Sequence, residues 1–245
     1  MAEDYEMMCG IEIHQQLDTK KLFCACDSCL RDDGYGSYFR KLRPTTSEMG
    51  HIDRAALAQF KRNIGFRYQC SSGPTSCLVD LDEEPPHEVN GDAMETTLVF
   101  STMLGASIID EIEFMRKIVV DGSNTGGFQR TALVAVDGSI DVNGKKIGIL
   151  SVCLEEDAAR KIETTSNEVL YRLDRLGIPL IEVATAPDMR TPEEVMEVAA
   201  KLGSLLRATK RVKRGIGTIR EDLNISIPGG ARIEIKGCQE LRLLP

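Results

Sequence analysis

Two side chains near the start of the chain carry the first chemistry. Across Gly10, Ile11, Glu12, Ile13, His14, Gln15, Gln16 and Leu17, the polar Glu12, His14 and Gln16 alternate with the apolar Ile11 and Ile13. In an extended strand this period of two puts Glu12 and His14 on one face, about 7 Å apart. A carboxylate and an imidazole so placed suit two ligands converging on a divalent metal and its water shell. A half-buried strand with a wet polar face has the same pattern.

Other acids and bases fall on comparable faces further along. Leu154 is followed by Glu155, Glu156 and Asp157, three carboxylates that repel one another unless solvated or neutralised by a cation. Strand parity does not choose between Glu155 and Glu156. Glu182 interrupts the apolar run 178–184, facing solvent or kept for metal ligation. Arg220, Asp222 and Asn224 oppose Ile219, Leu223, Ile225 and Glu221; Arg232, Glu234 and Lys236 oppose Ile233 and Ile235. One antiparallel sheet face holding all of these fits a metal together with a phosphate. Between strands, residues 121–130 combine Gly122, Gly126 and Gly127 with Ser123, Thr125 and Arg130, so backbone N–H groups could wrap an anion. This loop matches neither the P-loop nor the dinucleotide fingerprint, and a flexible hairpin loop would look the same. No nucleophile elbow, zincin motif or kinase signature occurs.

The elements that must position these groups are partly legible. A strand spans 10–17, and 17–44 reads as a long surface connection. A helix is expected over about 47–64, a break at 82–86, and a second helix capped by Asn90 and stopped at Gly105. Strands follow over 111–120, 131–136 and 147–154, with Asp137-Gly138 and Asn143-Gly144 as hairpin dipeptides. Thr191, Pro192 and Glu194 open the clearest helix, whose Val195, Val198, Ala199, Leu202, Leu205 and Leu206 share a buried face. Strands at 218–226 and 232–236 close the pattern.

Composition bounds the rest. The 245 residues make one large domain or two small ones, with 42% hydrophobic and 28% charged residues. A net charge of −8 argues against general phosphate-backbone binding, although a local basic run such as 210–214 could dock RNA. No apolar run reaches ~18 residues, so no membrane span is expected. The first six residues are acidic and lack an apolar core, unlike a signal peptide, which places the protein in the cytoplasm. There the eight cysteines are expected mostly as thiols. Cys24, Cys26 and Cys29, with Cys70 or Cys77, could hold a structural zinc ion; free thiols are the alternative.

Several stretches, in a fixed order, resemble the GatB/GatE family, the synthetase-like subunit of tRNA-dependent amidotransferases. They are Gly10 to Leu17, Arg116 to Thr125, Leu154 to Ala158, Pro179 to Val183, Pro187 to Glu194 and Arg232 to Lys236. Residues 116–131 and Asp80 to His87 look like the archaeal E branch. The resemblance covers nearly the whole chain. It implies an α+β fold, an antiparallel-sheet cradle with flanking helices likened to glutamine synthetase, occupying 1–245. It implies ATP- and Mg²⁺-dependent phosphorylation of the γ-carboxylate of glutamate mischarged on glutamine tRNA. Ammonia from an asparaginase-like D subunit then gives the glutaminyl product. It makes His14, Glu156 and Glu182 metal ligands with Glu12 near a second ion. It makes Arg116, Lys117, Ser123, Gly126 and Gly127 phosphate contacts, and places Arg220, Asp222 and Glu155 in the catalytic pocket. Family members continue past Pro245 into helical, tail and inserted domains, so the chain reads as the N-terminal part of such a protein. A non-catalytic scaffold or tRNA-binding fragment, or a different metal-dependent hydrolase, are the competing expectations.

Overall fold

The structure is a computed structural model that describes residues 6–44, 46, 47 and 49–238. The expectations for the first five residues and for the stretch leading to Pro245 lie outside the described residues. In chain order the elements are β1 (Met8–Gln16), β2 (Tyr35–Arg40), α1 (Arg54–Lys61), β3 (Gly65–Cys70), α2 (Gly91–Met103), β4 (Ser107–Ile108), β5 (Phe114–Ile118), β6 (Phe128–Val142), β7 (Lys145–Glu156), β8 (Arg160–Thr164), β9 (Glu168–Arg172), β10 (Pro179–Thr185), α3 (Pro192–Ala208), β11 (Ile219–Ser226) and β12 (Ile233–Cys238). The α+β expectation holds: helices are few, and antiparallel sheets dominate.

The large sheet runs β12-β11-β1-β10-β7-β6-β4, with β5 paired to β6. Its ladders are antiparallel throughout. One face is apolar. Ile11 and Ile13 of β1, Ile181 and Val183 of β10, and Leu154 of β7 pack with Phe100 of α2 and Val198, Leu202 and Leu206 of α3 in a single core. The alternation read from the sequence is therefore real: helices seal one side of the sheet, which leaves polar side chains to the other.

A smaller sheet, β2-β3-β9-β8, has its own core around Phe66, Tyr68, Leu81, Val169 and Tyr171. Its β3–β9 pair is parallel, a departure from the all-antiparallel expectation. The Tyr68 and Tyr171 hydroxyls donate to the carbonyls of Gly122 (2.8 Å) and Asp121 (2.9 Å), and Phe66 packs where a Cβ on Gly122 would stand. The small sheet thus buttresses the 121–127 loop between β5 and β6.

Several element boundaries differ from expectation. The first helix is only Arg54–Lys61, capped by Asp53, and buries no residue, because its apolar stripe is too sparse to pay for a longer helix. The 17–44 connection contains β2. Asp137-Gly138 is not a turn: β6 runs through it with Asp137 at φ 57°, while Asn143 (φ 54°) and Gly144 (φ 79°) make the β6–β7 hairpin turn. Gly138 sits where a Cβ would meet Ala106 and the Leu104 carbonyl, which accounts for its identity. The α2 and α3 caps are as expected, except that Glu194 accepts from the Arg190 N–H (2.6 Å) rather than from its cap.

Candidate active site

Register explains which polar groups meet. His14 of β1 lies opposite Glu182 of β10 and Arg220 of β11, and Glu182 lies opposite Cys153 of β7. Two residues beyond Cys153, on the same face, comes Glu155, opposite Thr131 of β6. Lys117 of β5 enters beside Gln129. Four strands thus deliver His14, Glu182, Glu155 and Lys117 to one patch.

Its geometry is tight. His14 Nε2 is 2.9 Å from Glu182 Oε2, and donor atoms of His14, Glu155 and Glu182 lie within 4.8 Å of one another. Lys117 Nζ is 3.6 Å from Glu155 Oε1 and 3.8 Å from Glu182 Oε2. Thr131 Oγ1 donates to Glu155 Oε1 (2.9 Å) and Gln129 Nε2 to Glu155 Oε2 (3.1 Å). Burial, then the charge of Glu182, push the Glu155 carboxyl above its ordinary range, against Lys117, Thr131 and His14. Burial works the same way on Glu182, but the His14 hydrogen bond and charge outweigh it and hold Glu182 low. Burial alone would lower His14; Glu182 and Glu155 reverse that and raise it. Lys117 is likewise raised, the two glutamates overcoming its desolvation. Two facing carboxylates beside an imidazole, with the Lys117 ammonium at their edge, offer a cluster of ligand atoms that could converge on a divalent cation. The donor set, two hard oxygens and one imidazole, fits a small cation that keeps several waters.

Glu156, expected as a ligand, is not in this cluster. One residue on from Glu155, it points through the sheet, where it accepts from Arg130 N (3.1 Å) and faces Arg130 Nη1 at 3.2 and 3.3 Å. The guanidinium lies over the rings of Phe23 and Phe128. Arg116 is turned the same way, opposite Arg130 in register and over Phe128. Of the expected Arg116–Lys117 phosphate pair, only Lys117 reaches the cluster's face. The glycine loop is largely self-satisfied: Ser123 gives its N–H and hydroxyl to Asp121, and Gly127 N donates to the Asn124 carbonyl. Gly126 lines a ≈ 20 Å³ cavity with Lys21, Asp80, Asn124, Arg130 and Glu156, room for about one water, on the side of the sheet away from His14.

The remaining expected residues sit toward the β11 and β12 end. Glu12 Oε1 accepts from Asn224 Nδ2 (3.0 Å), and Asp222, opposite Glu12, accepts from Gly237 N (2.8 Å). Arg220 Nη2 reaches Asp157 Oδ1 (3.3 Å), and Gln16 Nε2 donates to Asp157 Oδ2 (2.7 Å). Sequence reasoning overlooked Thr131 and Gln129; both alternate with the buried Ala132 and the inward Arg130, a signal that β6 carries.

A second metal-competent group lies in loops. Ligand atoms of Cys24, Cys26, Cys77 and Asp80 lie within 4.8 Å of one another. A hydrogen bond to Cys26, then burial, push the Cys24 thiol far above its ordinary range, and burial raises Cys77 and Asp80. Asp80 Oδ2 is also 2.9 Å from the buried Lys21 Nζ. Cys29 is exposed and neither it nor Cys70 joins the group. The basic run is tied down at Arg211, which reaches Glu95 (2.7 Å) and Asp92 (3.6 Å). Among the described residues no helix is long and apolar enough to cross a membrane.

Comparison with known proteins bears on this face. Residues 7–245 match the model of the GatB/GatE catalytic domain. The chain is 56% identical over 237 residues to the E subunit of a glutamyl-tRNA(Gln) amidotransferase from Sulfolobus acidocaldarius, covering 96% of this chain and 37% of the relative. It is 53% identical over 243 residues to the same subunit from Pyrococcus furiosus, covering 99% of this chain and 38% of the relative. Against that of Methanocaldococcus jannaschii it is 55% identical over 237 residues, covering 96% and 38%. The chain therefore spans little more than a third of these relatives.

Proposed function

The chain belongs to the GatB/GatE catalytic-domain family, and from that membership we propose that it phosphorylates the γ-carboxylate of glutamate carried on glutamine tRNA. ATP is the phosphoryl donor, and ADP and a γ-glutamyl phosphate are the products. A carboxylate oxygen is a poor leaving group until phosphorylated; ammonia then attacks the carbonyl carbon and expels phosphate, leaving the glutaminyl ester. An asparaginase-like D subunit supplies the ammonia, and the cytoplasm is the setting. Residues 7–245 act as the catalytic cradle, with chemistry akin to that of glutamine synthetase.

The observation that carries this reading is the meeting of His14, Glu155 and Glu182 from three strands, with Lys117 from a fourth. These three would hold Mg²⁺, with Glu155 in the place the family resemblance gave to Glu156. The ion supplies charge neutralisation for the transferring phosphoryl group. Lys117, freed from Glu155 and Glu182, turns its ammonium to a phosphate oxygen. Thr131 and Gln129 hold Glu155 in place throughout. Arg220, Asp222 and the Glu12–Asn224 pair orient the substrates at the other end of the face. The loop thiols Cys24, Cys26 and Cys77, with Asp80, would hold a structural zinc ion.

The test is ADP formation dependent on glutamyl-tRNA(Gln) and Mg²⁺, with the partner amidase present. Glu182→Gln keeps the shape and removes the charge; the rate should fall on the order of 10³-fold, about 4 kcal/mol of transition-state stabilisation. A Glu182→Gln rate near the unsubstituted one overturns the assignment. A chain that binds the charged tRNA and makes no ADP is the non-catalytic scaffold instead.

A further inference from the structure

Between β2 and β3 the chain forms an arm that hardly enters either core. Every residue of β2 but Arg40 is exposed, and α1 buries nothing. The arm shows solvent four large rings, Tyr35 (71% exposed), Tyr38 (53%), Phe39 (49%) and Phe60 (46%). Leaving such rings largely in water forgoes the stabilisation that burying them would bring, so in isolation this arrangement gains little for the fold. Its charge is also out of keeping with the molecule: residues 35–64 hold six Lys and Arg against two Asp and Glu, in a chain of net charge −8. Arg40 is paired with Glu83, but Arg43, Arg54 and Lys61 have no acidic partner among the described residues. Arg54 and Lys61, seven residues apart, share one side of α1.

Cations interleaved with exposed flat rings match a polyanion that also presents π-faces. Single-stranded nucleic acid has both: phosphates for the cations and unstacked bases for the rings. A duplex hides its bases, and an acidic protein surface offers no planar partners in series. We propose that the β2–α1 arm is a docking surface for the unpaired nucleotides of an RNA. The inference rests on the reading above only in taking RNA-borne glutamate as the substrate. It deepens that reading because the arm's sheet is fastened through Tyr68, Tyr171 and Phe66 to the 121–127 loop, which begins four residues after Lys117. A strand held on the arm is thus held by the same framework that positions the cation cluster.

The experiment measures binding without ATP or Mg²⁺, so its outcome is separate from that of phosphoryl transfer. The probes are a short RNA stem with an unpaired 3′ tail and the same stem blunt-ended. Arg43→Ala, Arg54→Ala and Lys61→Ala together should weaken tailed-RNA binding on the order of 50-fold near 150 mM salt and reduce the salt slope by about 2, as the loss of three phosphate contacts to a single strand requires. Tyr38→Ala should weaken it about tenfold with the salt slope unchanged, the mark of lost stacking. A control triple, Lys146→Ala, Lys201→Ala and Arg207→Ala, removes equal charge from exposed positions outside the arm and should change little. All these side chains are solvent-facing, and unchanged circular dichroism confirms folding. Equal losses for arm and control, or equal binding of the tailed and blunt stems, overturn the proposal. So does an arm variant that keeps RNA affinity and instead loses co-elution with the partner amidase, which would make the arm a protein interface.

Discussion

His14, Glu155 and Glu182 converge from three neighbouring strands of one sheet, whereas Cys24, Cys26, Cys77 and Asp80 converge from two loops that belong to no sheet. The first group is held by ladders whose hydrogen bonds need no cation. The second has no regular backbone beneath it, and its members are held by their own hydrogen bonds and by the Lys21–Asp80 pair. Strand-borne ligands can therefore be committed to turnover, where a metal arrives with a nucleotide and leaves. Loop-borne thiols suit a metal that stays.

The sharpest way to break this contrast is to withhold, in turn, the metal proposed for each group. Zinc held by thiolates is worth on the order of 10 kcal/mol to a small folded unit. Cys77→Ser, or a chelator strong enough to strip zinc, should give the largest fall in Tm of any change considered, with Mg²⁺ affinity at the sheet little altered. Titrating Mg²⁺ away should leave Tm nearly where it was. If stripping zinc has no thermal effect, the thiols are free and the contrast disappears.

Next in size is the neighbouring pair on β7. Glu156→Gln leaves the Arg130 guanidinium buried against a neutral amide and should cost about 3–5 kcal/mol, seen as a lower urea midpoint. The same change at Glu155 removes a repulsive partner of Glu182 and should cost little stability while weakening Mg²⁺ binding. Two adjacent glutamates, one substitution, two different readouts: an identical outcome at both positions would show the assignment of faces to be wrong.

The smallest effect sharpens the description of the apolar face. Glu221 of β11 is buried there opposite Ile13, and its Oε2 has no hydrogen-bond partner among the described residues. Burial lifts its pKa to about 7. Between the ordinary value of 4.5 and about 7 the folded chain keeps a proton that the unfolded chain has lost, so stability falls as pH rises through that window. Glu221→Met should flatten the dependence, with a gain that grows from nothing below pH ~4.5 to about 3 kcal/mol above pH ~7. Parallel stability–pH curves for the two proteins would contradict it.

Parity made much of the large sheet readable in advance. Ile11 and Ile13 against Glu12 and His14, or Ile219 and Leu223 against Arg220 and Asp222, fix a face by alternation alone, and α3 declares itself through Thr191, Pro192 and its apolar stripe. Parity could not orient Glu155 and Glu156, because three acids in a row offer no apolar reference. Only the register of β7 against β6 and β10 decides it. The small sheet stayed hidden for a related reason. β2 is exposed along nearly its whole length and β8 carries charges on both sides, so neither shows a buried alternation. The Asp137-Gly138 dipeptide misled because a left-handed residue that often closes a hairpin can also sit inside a long strand: β6 keeps its pairing with β7 across Asp137, and its register shifts instead between Leu133 and Ala135. The loop thiols could be noticed by type, but their grouping depends on contacts between loops some fifty residues apart in sequence.

The opposite facing of Glu155 and Glu156 has a consequence for how this gene can vary. A strand that keeps one acid for each side of the sheet cannot gain or lose a single codon upstream of them within β7, since every later side chain would swap sides at once and send Glu155 into the apolar layer. Length changes should instead collect in places such as the hairpin tip at Asn143-Gly144, where the backbone is exposed and nothing downstream need turn over.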